Sequence, residues 1–235
     1  MNEQQRSVQN IPKIIIILLI LSLGGQIIWS YQLPPPNTKI QKLTSPPQSG
    51  LLHIFSFGDT IVSAKLLMLW LQSFDIQTGQ FLPYQQLDYN KLQQWLEQIL
   101  LLDQNSQYPL LVASHLYSSV PNPKKQYLML EFVYHQFFID PNTRWPWLAH
   151  VTVIAKHKLK NLPLALKYAQ AISANATPSM PRWAKEMQIF ILEDMGELEQ
   201  ARLIVGGMLA SGQLTDSKEI KFLNEKLLAL EKQIK

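Results

Sequence analysis

The chain has 235 residues, of which 47% are hydrophobic and 16% charged, a balance that excludes a disordered polymer and leaves enough length after position 50 to bury a core. Its formal net charge is +4, but Arg6, Lys13, Lys39 and Lys42 against Glu3 supply three of those units, so the rest is near neutral and does not mark a nucleic-acid binder. There is no cysteine, which excludes disulfides, thiolate zinc sites, iron–sulfur clusters and lipoprotein-type acylation.

Ile14 to Leu33 carries no charge over 20 residues. At about 1.5 Å per residue it spans about 30 Å, the depth of a bilayer core. Trp29 and Tyr31 stand near its end, where amphipathic rings favour the membrane interface. Pro34, Pro35 and Pro36 then stop the helix, because proline lacks the amide donor and clashes with the preceding turn. A cleaved leader would turn polar after the small residues around Ser22 and Gly24, whereas here Ile27, Ile28 and Trp29 prolong the apolar run. The segment therefore reads as an anchor over 14–33, preceded by a short tail, 1–13, and followed by a tether over 34–58. Five prolines between Pro34 and Gly50 make that tether extended and semi-rigid. Arg6, Lys13 and the terminal amine favour a cytoplasmic tail and a domain outside. In a bacterium that is a single-pass inner-membrane protein with its C-terminal domain in the periplasm.

From position 59 the apolar residues recur at helical spacing. Asp59 is placed to cap a helix over 60–74, with Ile61, Ala64, Leu67, Met68 and Leu71 facing inward. Residues 79–88 form a loop. Further helices follow over 90–102 (Leu92, Trp95, Leu96 and Ile99 inward), 108–117 and 124–138, the last stopping at Asp140-Pro141. The next covers 146–160, with Leu148, Val151, Ala155 and Leu159 as its core stripe. Helices over 162–174, 181–195, 197–211 and 217–234 complete an all-α chain of helical hairpins joined by short loops.

The hairpin around Gly196 carries the most specific pattern. Gly196 permits a tight turn, Leu198 is a large apolar residue just after it, and Ala201 lets two helix axes approach closely. This resembles the centre of a tetratricopeptide repeat. Leu162 and Ala165 repeat two of those positions, with the turn glycine replaced. Met129 and Leu92 continue the series backward at intervals of 36 and 37 residues, slightly longer than the family's usual period of about 34. The resemblance covers 60–211 as about four units. It implies a right-handed superhelix of antiparallel hairpins, with 217–235 as the capping helix over the last apolar face.

No His-Glu-x-x-His, phosphate loop, nucleophile elbow or dinucleotide turn is present, so no catalytic, metal or cofactor residue is assigned and the reading is non-enzymatic. From Pro141 to Lys185 there is no acidic residue, and Arg144, Lys156, Lys160 and Lys167 mark a basic region beside an acidic one. That region reads either as a contact site for an acidic partner or as ordinary solvated helix faces. Helix starts of tetratricopeptide-like arrays line a concave groove, so the resemblance implies a partner-binding groove formed by Trp147, His150, His157, Lys158, Trp183 and Phe190. The functional expectation is a membrane-anchored scaffold or assembly factor in the cell envelope. Its partners would be proteins at the membrane and, through the anchor, the bilayer, with no nucleic acid. The alternatives are an accessory protein of polysaccharide or cell-wall handling, with Trp145, Trp147 and Trp183 stacking on sugars, or a helical enzyme with an unfamiliar site.

Overall fold

The computed structural model describes residues 12–32, 42–75, 83–177, 179–212, 214 and 216–234, and among them all regular structure is helical. The N-terminal tail before residue 12, the polyproline stop with the tether as far as residue 41, and residues 79–82 of the 79–88 loop lie outside the described residues, while Pro83–Gln86 of that loop form a short 3-10 turn. The chain divides into two compact units, one comprising residues 1–40 with 78–80 and the other residues 41–77 with 81–235.

The described part of the first unit is helix α1 (Lys13–Gln32), long and apolar enough to cross a membrane. None of its side chains is buried by protein. A helix apolar all round, with every backbone group bonded internally, suits hydrocarbon rather than water.

The second unit holds α2 (Ser49–Phe55), α3 (Thr60–Gln72), α4 (Tyr89–Leu102), α5 (Tyr108–His115), α6 (Pro123–Phe137), α7 (Pro141–His157), α8 (Leu162–Ala174), α9 (Arg182–Asp194), α10 (Leu198–Ala210) and α11 (Ser217–Ile234). From α3 onward each helix packs against its neighbours in the chain, and α4 also meets α6 as α5 meets α7. Local chemistry sets the boundaries. The Asp59 carboxylate accepts from Val62 N–H at 2.9 Å, and Asp88, Asn122 and Asn161 cap α4, α6 and α8 in the same way. At the α9 C-terminus, Gly196 N–H donates to Glu193 O and Glu197 N–H donates to Leu192 O, with Gly196 at φ +77°. That is a Schellman closure, and it needs the left-handed backbone that glycine adopts without strain. One period earlier Lys160 holds the equivalent position at φ +51°.

The period is physical as well as textual. Leu92, Met129, Ala165 and Ala201 are all fully buried. Contacts between successive hairpins recur at the same interval: Gln72 with Tyr108, Gln107 with Thr143 and Lys167 with Glu131 each join residues 36 apart. An all-helical stack of this kind is compatible with a helical-repeat fold.

Three expectations change. The tether ends earlier than residue 58. Leu43 and Leu52 are buried, and Trp95 Nε1–H donates to Thr44 O at 2.8 Å, so the folded unit begins near residue 42. The Pro, Ser and Thr of that stretch read as linker, yet one leucine is enough to plug a groove, and α2 is too short to show a period. Helix α7 begins at Pro141, not Pro146. Pro141 occupies the first helical position, where its fixed φ is favourable, and Pro146 inside the helix forfeits one backbone bond. Ile61 faces outward, because α3 is apolar on more than one side and its inward stripe is Ala64, Met68 and Leu71.

Candidate partner-binding surface

Helices α5 and α7 pack side by side and present a row of polar and aromatic side chains along their junction. Trp147 Nε1–H donates to Gln107 Oε1 at 2.7 Å. The Trp147 indole stands edge-on to His115, with ring centroids 6.0 Å apart. The His115 and His150 imidazoles lie stacked, 3.7 Å between centroids and 4° from parallel. His115 Nδ1 shares a hydrogen bond of 2.9 Å with Ser114 Oγ. At the far end Lys158 Nζ donates to Ser119 Oγ at 3.2 Å. Apart from the Ser114–His115 bond, each contact joins α5 or a residue flanking it to α7 or its C-cap Lys158, across 32 to 40 positions of sequence.

Three of the sequence-derived groove residues, Trp147, His150 and Lys158, thus come together, and all are at least partly exposed. His115 and Gln107 complete the row and were missed. A signal for His115 was its place 35 positions before His150, within one residue of the 36-residue interval. The remaining three lie apart. His157 is exposed at the end of α7 and makes none of these contacts. Trp183 on α9 is 53% exposed and meets Trp145 edge-on at 5.5 Å. Phe190 packs near Phe222 of α11 with the Lys226 ammonium 4.9 Å over its ring.

The basic region does not form one face. Arg144 is 1% exposed: its guanidinium donates to Gln136 O and Oε1, both at 2.9 Å, and to Gln104 O at 2.6 Å. Lys156 pairs with Asp194, and Lys167 with Glu131 at 3.0 Å. Lys160 is exposed in the left-handed turn. Counting charge along the chain overlooks carboxylates one repeat away, and those carboxylates neutralise two of the four cations.

Two further polar networks tie hairpins together. Tyr117 Oη donates to both Asp75 oxygens, at 3.1 and 2.9 Å, and burial pushes the Asp75 carboxyl up to about 6. Tyr168 Oη donates to Glu131 at 2.7 Å, where the Lys167 ammonium also lies 4.1 Å over the Tyr134 ring. Burial first, then the Glu131 hydrogen bond, hold the Tyr168 hydroxyl in its protonated form.

Partial burial lowers the His150 pKa, and the neighbouring His115 and Lys158 add to the effect. His150 is therefore held toward its neutral form near pH 7, an amphipathic ring stacked on His115. A histidine whose folded pKa is depressed binds its proton more readily in the unfolded chain. Its contribution to stability is full above the unfolded pKa of about 6.5 and is lost as the pH falls below that value. Moving from about pH 7.5 to about pH 5.5 is accordingly expected to lower the thermal midpoint, and His150→Gln to shrink that drop; circular dichroism melts at the two pH values check it. Comparisons with protein-family models, with curated proteins and with solved structures found no match to this chain.

Proposed function

We propose that the protein is a membrane-anchored, non-enzymatic interaction scaffold, with a tetratricopeptide-like right-handed superhelix held outside the bacterial inner membrane by α1. It binds a protein partner at the membrane through the row formed by Trp147 and His150 on α7, Lys158 just past its end, His115 on α5 and Gln107 just before its start. The observation that supports this most is the row itself. Its half-exposed rings are held by one another and by side-chain hydrogen bonds, so little rotamer entropy is lost on docking. Trp and Tyr rings placed this way are the usual anchors of protein interfaces. The N-terminal helix restricts the search for partners to the membrane surface and raises their effective concentration.

The test is capture of the full-length protein from detergent-solubilised membranes with mass spectrometry of what accompanies it, beside the variant Trp147→Ala, His150→Ala, Trp183→Ala. A reproducible envelope protein that is lost in the variant supports the scaffold. A folded, anchored protein that captures nothing refutes it. A second reading, carbohydrate handling in the envelope, draws on the exposed face of Trp183 beside Trp145. It requires a glycan to quench tryptophan fluorescence in a way that Trp183→Ala abolishes.

A further inference from the structure

Helix α3 buries Ala64, Met68 and Leu71 on one side, yet its opposite side is also apolar: Val62, Leu66 and Leu69 are all exposed. At 100° per residue these three fall within one arc, centred opposite the buried stripe. Helix α2 repeats the arrangement, with Leu52 buried and Leu51, Ile54 and Phe55 exposed. The turn between them places Phe57 at φ +49° and leaves it 94% exposed. A bulky residue in left-handed backbone, held out into water beside Gly58, is unfavourable on both counts unless its ring has an apolar medium to enter. A water-facing surface rarely gathers so many large apolar side chains in one place.

We propose that the exposed face of α2, Phe57 and α3 inserts into the interfacial layer of the same bilayer that α1 crosses, so that the domain lies on the membrane. The inference rests on the reading of α1 as a membrane span. Chain length favours lipid over any other occupant. From Gln32, where α1 ends, to the buried Leu43 the chain takes eleven residue steps through ten intervening residues, which reach at most about 40 Å even when fully extended. The bilayer surface is therefore always within reach of this end of the domain, and a partner protein is not. Charge agrees. From Leu43 to Phe74 the only acidic residue is Asp59, which is engaged in capping α3, while Lys42 and Lys65 flank the face where anionic headgroups would lie.

The absence of cysteine makes a clean test possible. Single variants Phe57→Cys, Leu66→Cys, Leu21→Cys and Leu203→Cys of the full-length chain are labelled with an environment-sensitive nitrobenzoxadiazole dye. They are reconstituted in phosphatidylethanolamine–phosphatidylglycerol vesicles with and without doxyl-labelled lipid. Position 21 reports on α1 and position 203 on an exposed site of α10. The proposal expects blue-shifted emission at 57 and 66 that doxyl lipid quenches as it quenches position 21, with position 203 unaffected. Emission at 57 and 66 matching that at 203, while 21 is quenched, overturns the proposal and leaves the anchor standing. Loss of quenching at 21 as well overturns both. A blue shift at 57 and 66 that doxyl lipid does not quench means that protein covers the face, and also overturns it.

Discussion

Arg144→Ala, at the most deeply buried charged side chain among the described residues, is expected to destabilise the domain by about 3 kcal/mol. The guanidinium is buried and spans two helix ends. It donates to Gln136 O in the last turn of α6 and to Gln104 O just beyond α4, so it supplies positive charge where both helix dipoles end negative. Truncation would leave Gln104 O without this donor and Gln136 O with only the bond from Ile139 N–H, at about 1–3 kcal/mol for a group left unsatisfied. It would also open a void beside the small cleft lined by Leu100, Leu101 and Ile139. Arg144 Nε has no partner, so the site is not ideally satisfied to begin with. Arg144→Lys should recover only part of the loss, because one ammonium on a single stem does not reproduce a planar fork spanning two acceptors. Urea unfolding of the detergent-solubilised protein, followed by circular dichroism, measures the difference. A loss within experimental error for Arg144→Ala would contradict the capping role.

Met129→Ala should cost about 3 kcal/mol, and the reverse exchange one period later, Ala165→Met, about 1–3 kcal/mol. Both positions are fully buried and 36 residues apart, and Ala201 follows at the same interval. If the repeat meant identical packing, each exchange would import a residue already accepted at an equivalent site. The hairpins are instead fitted individually. Removing three heavy atoms at 129 leaves a cavity, and adding them at 165 forces apart α7 and α8, the pair in most extensive contact. The same unfolding experiment reads both. Neutral behaviour of either exchange would mean that the stack tolerates volume changes at its period and is packed more loosely than its full burial indicates.

These residues also show what the sequence disclosed and what it did not. Capping is a local matter, so Asp59 and the Gly196 turn were legible from a few neighbouring residues. The buried period was legible too, since Leu92, Met129, Ala165 and Ala201 lie one hairpin apart and burial selects apolar residues at each. The pairing of Lys156 with Asp194 and of Lys167 with Glu131 was hidden, because partners one repeat away are adjacent only after folding. Arg144 was hidden for a related reason: its acceptors are backbone carbonyls, which leave no mark in the sequence. Ile61 misled because α3 is apolar on two sides, one packed and one exposed, and periodicity cannot say which is which. Of the candidate surface, Trp147, His150 and Lys158 were identified as groove residues, while the stacking of His150 on His115 emerged only when α5 and α7 were placed side by side.

The decisive measurement for the scaffold is site-specific photo-crosslinking in native membranes. The full-length protein would carry p-benzoylphenylalanine in turn at positions 147, 150 and 203. A partner docked on the α5–α7 row yields a discrete adduct of the same mass from 147 and 150 and none from 203. Absence of any adduct at 147 and 150, in a protein shown to be folded and membrane-bound, would contradict the scaffold reading and turn attention to the carbohydrate alternative at Trp183.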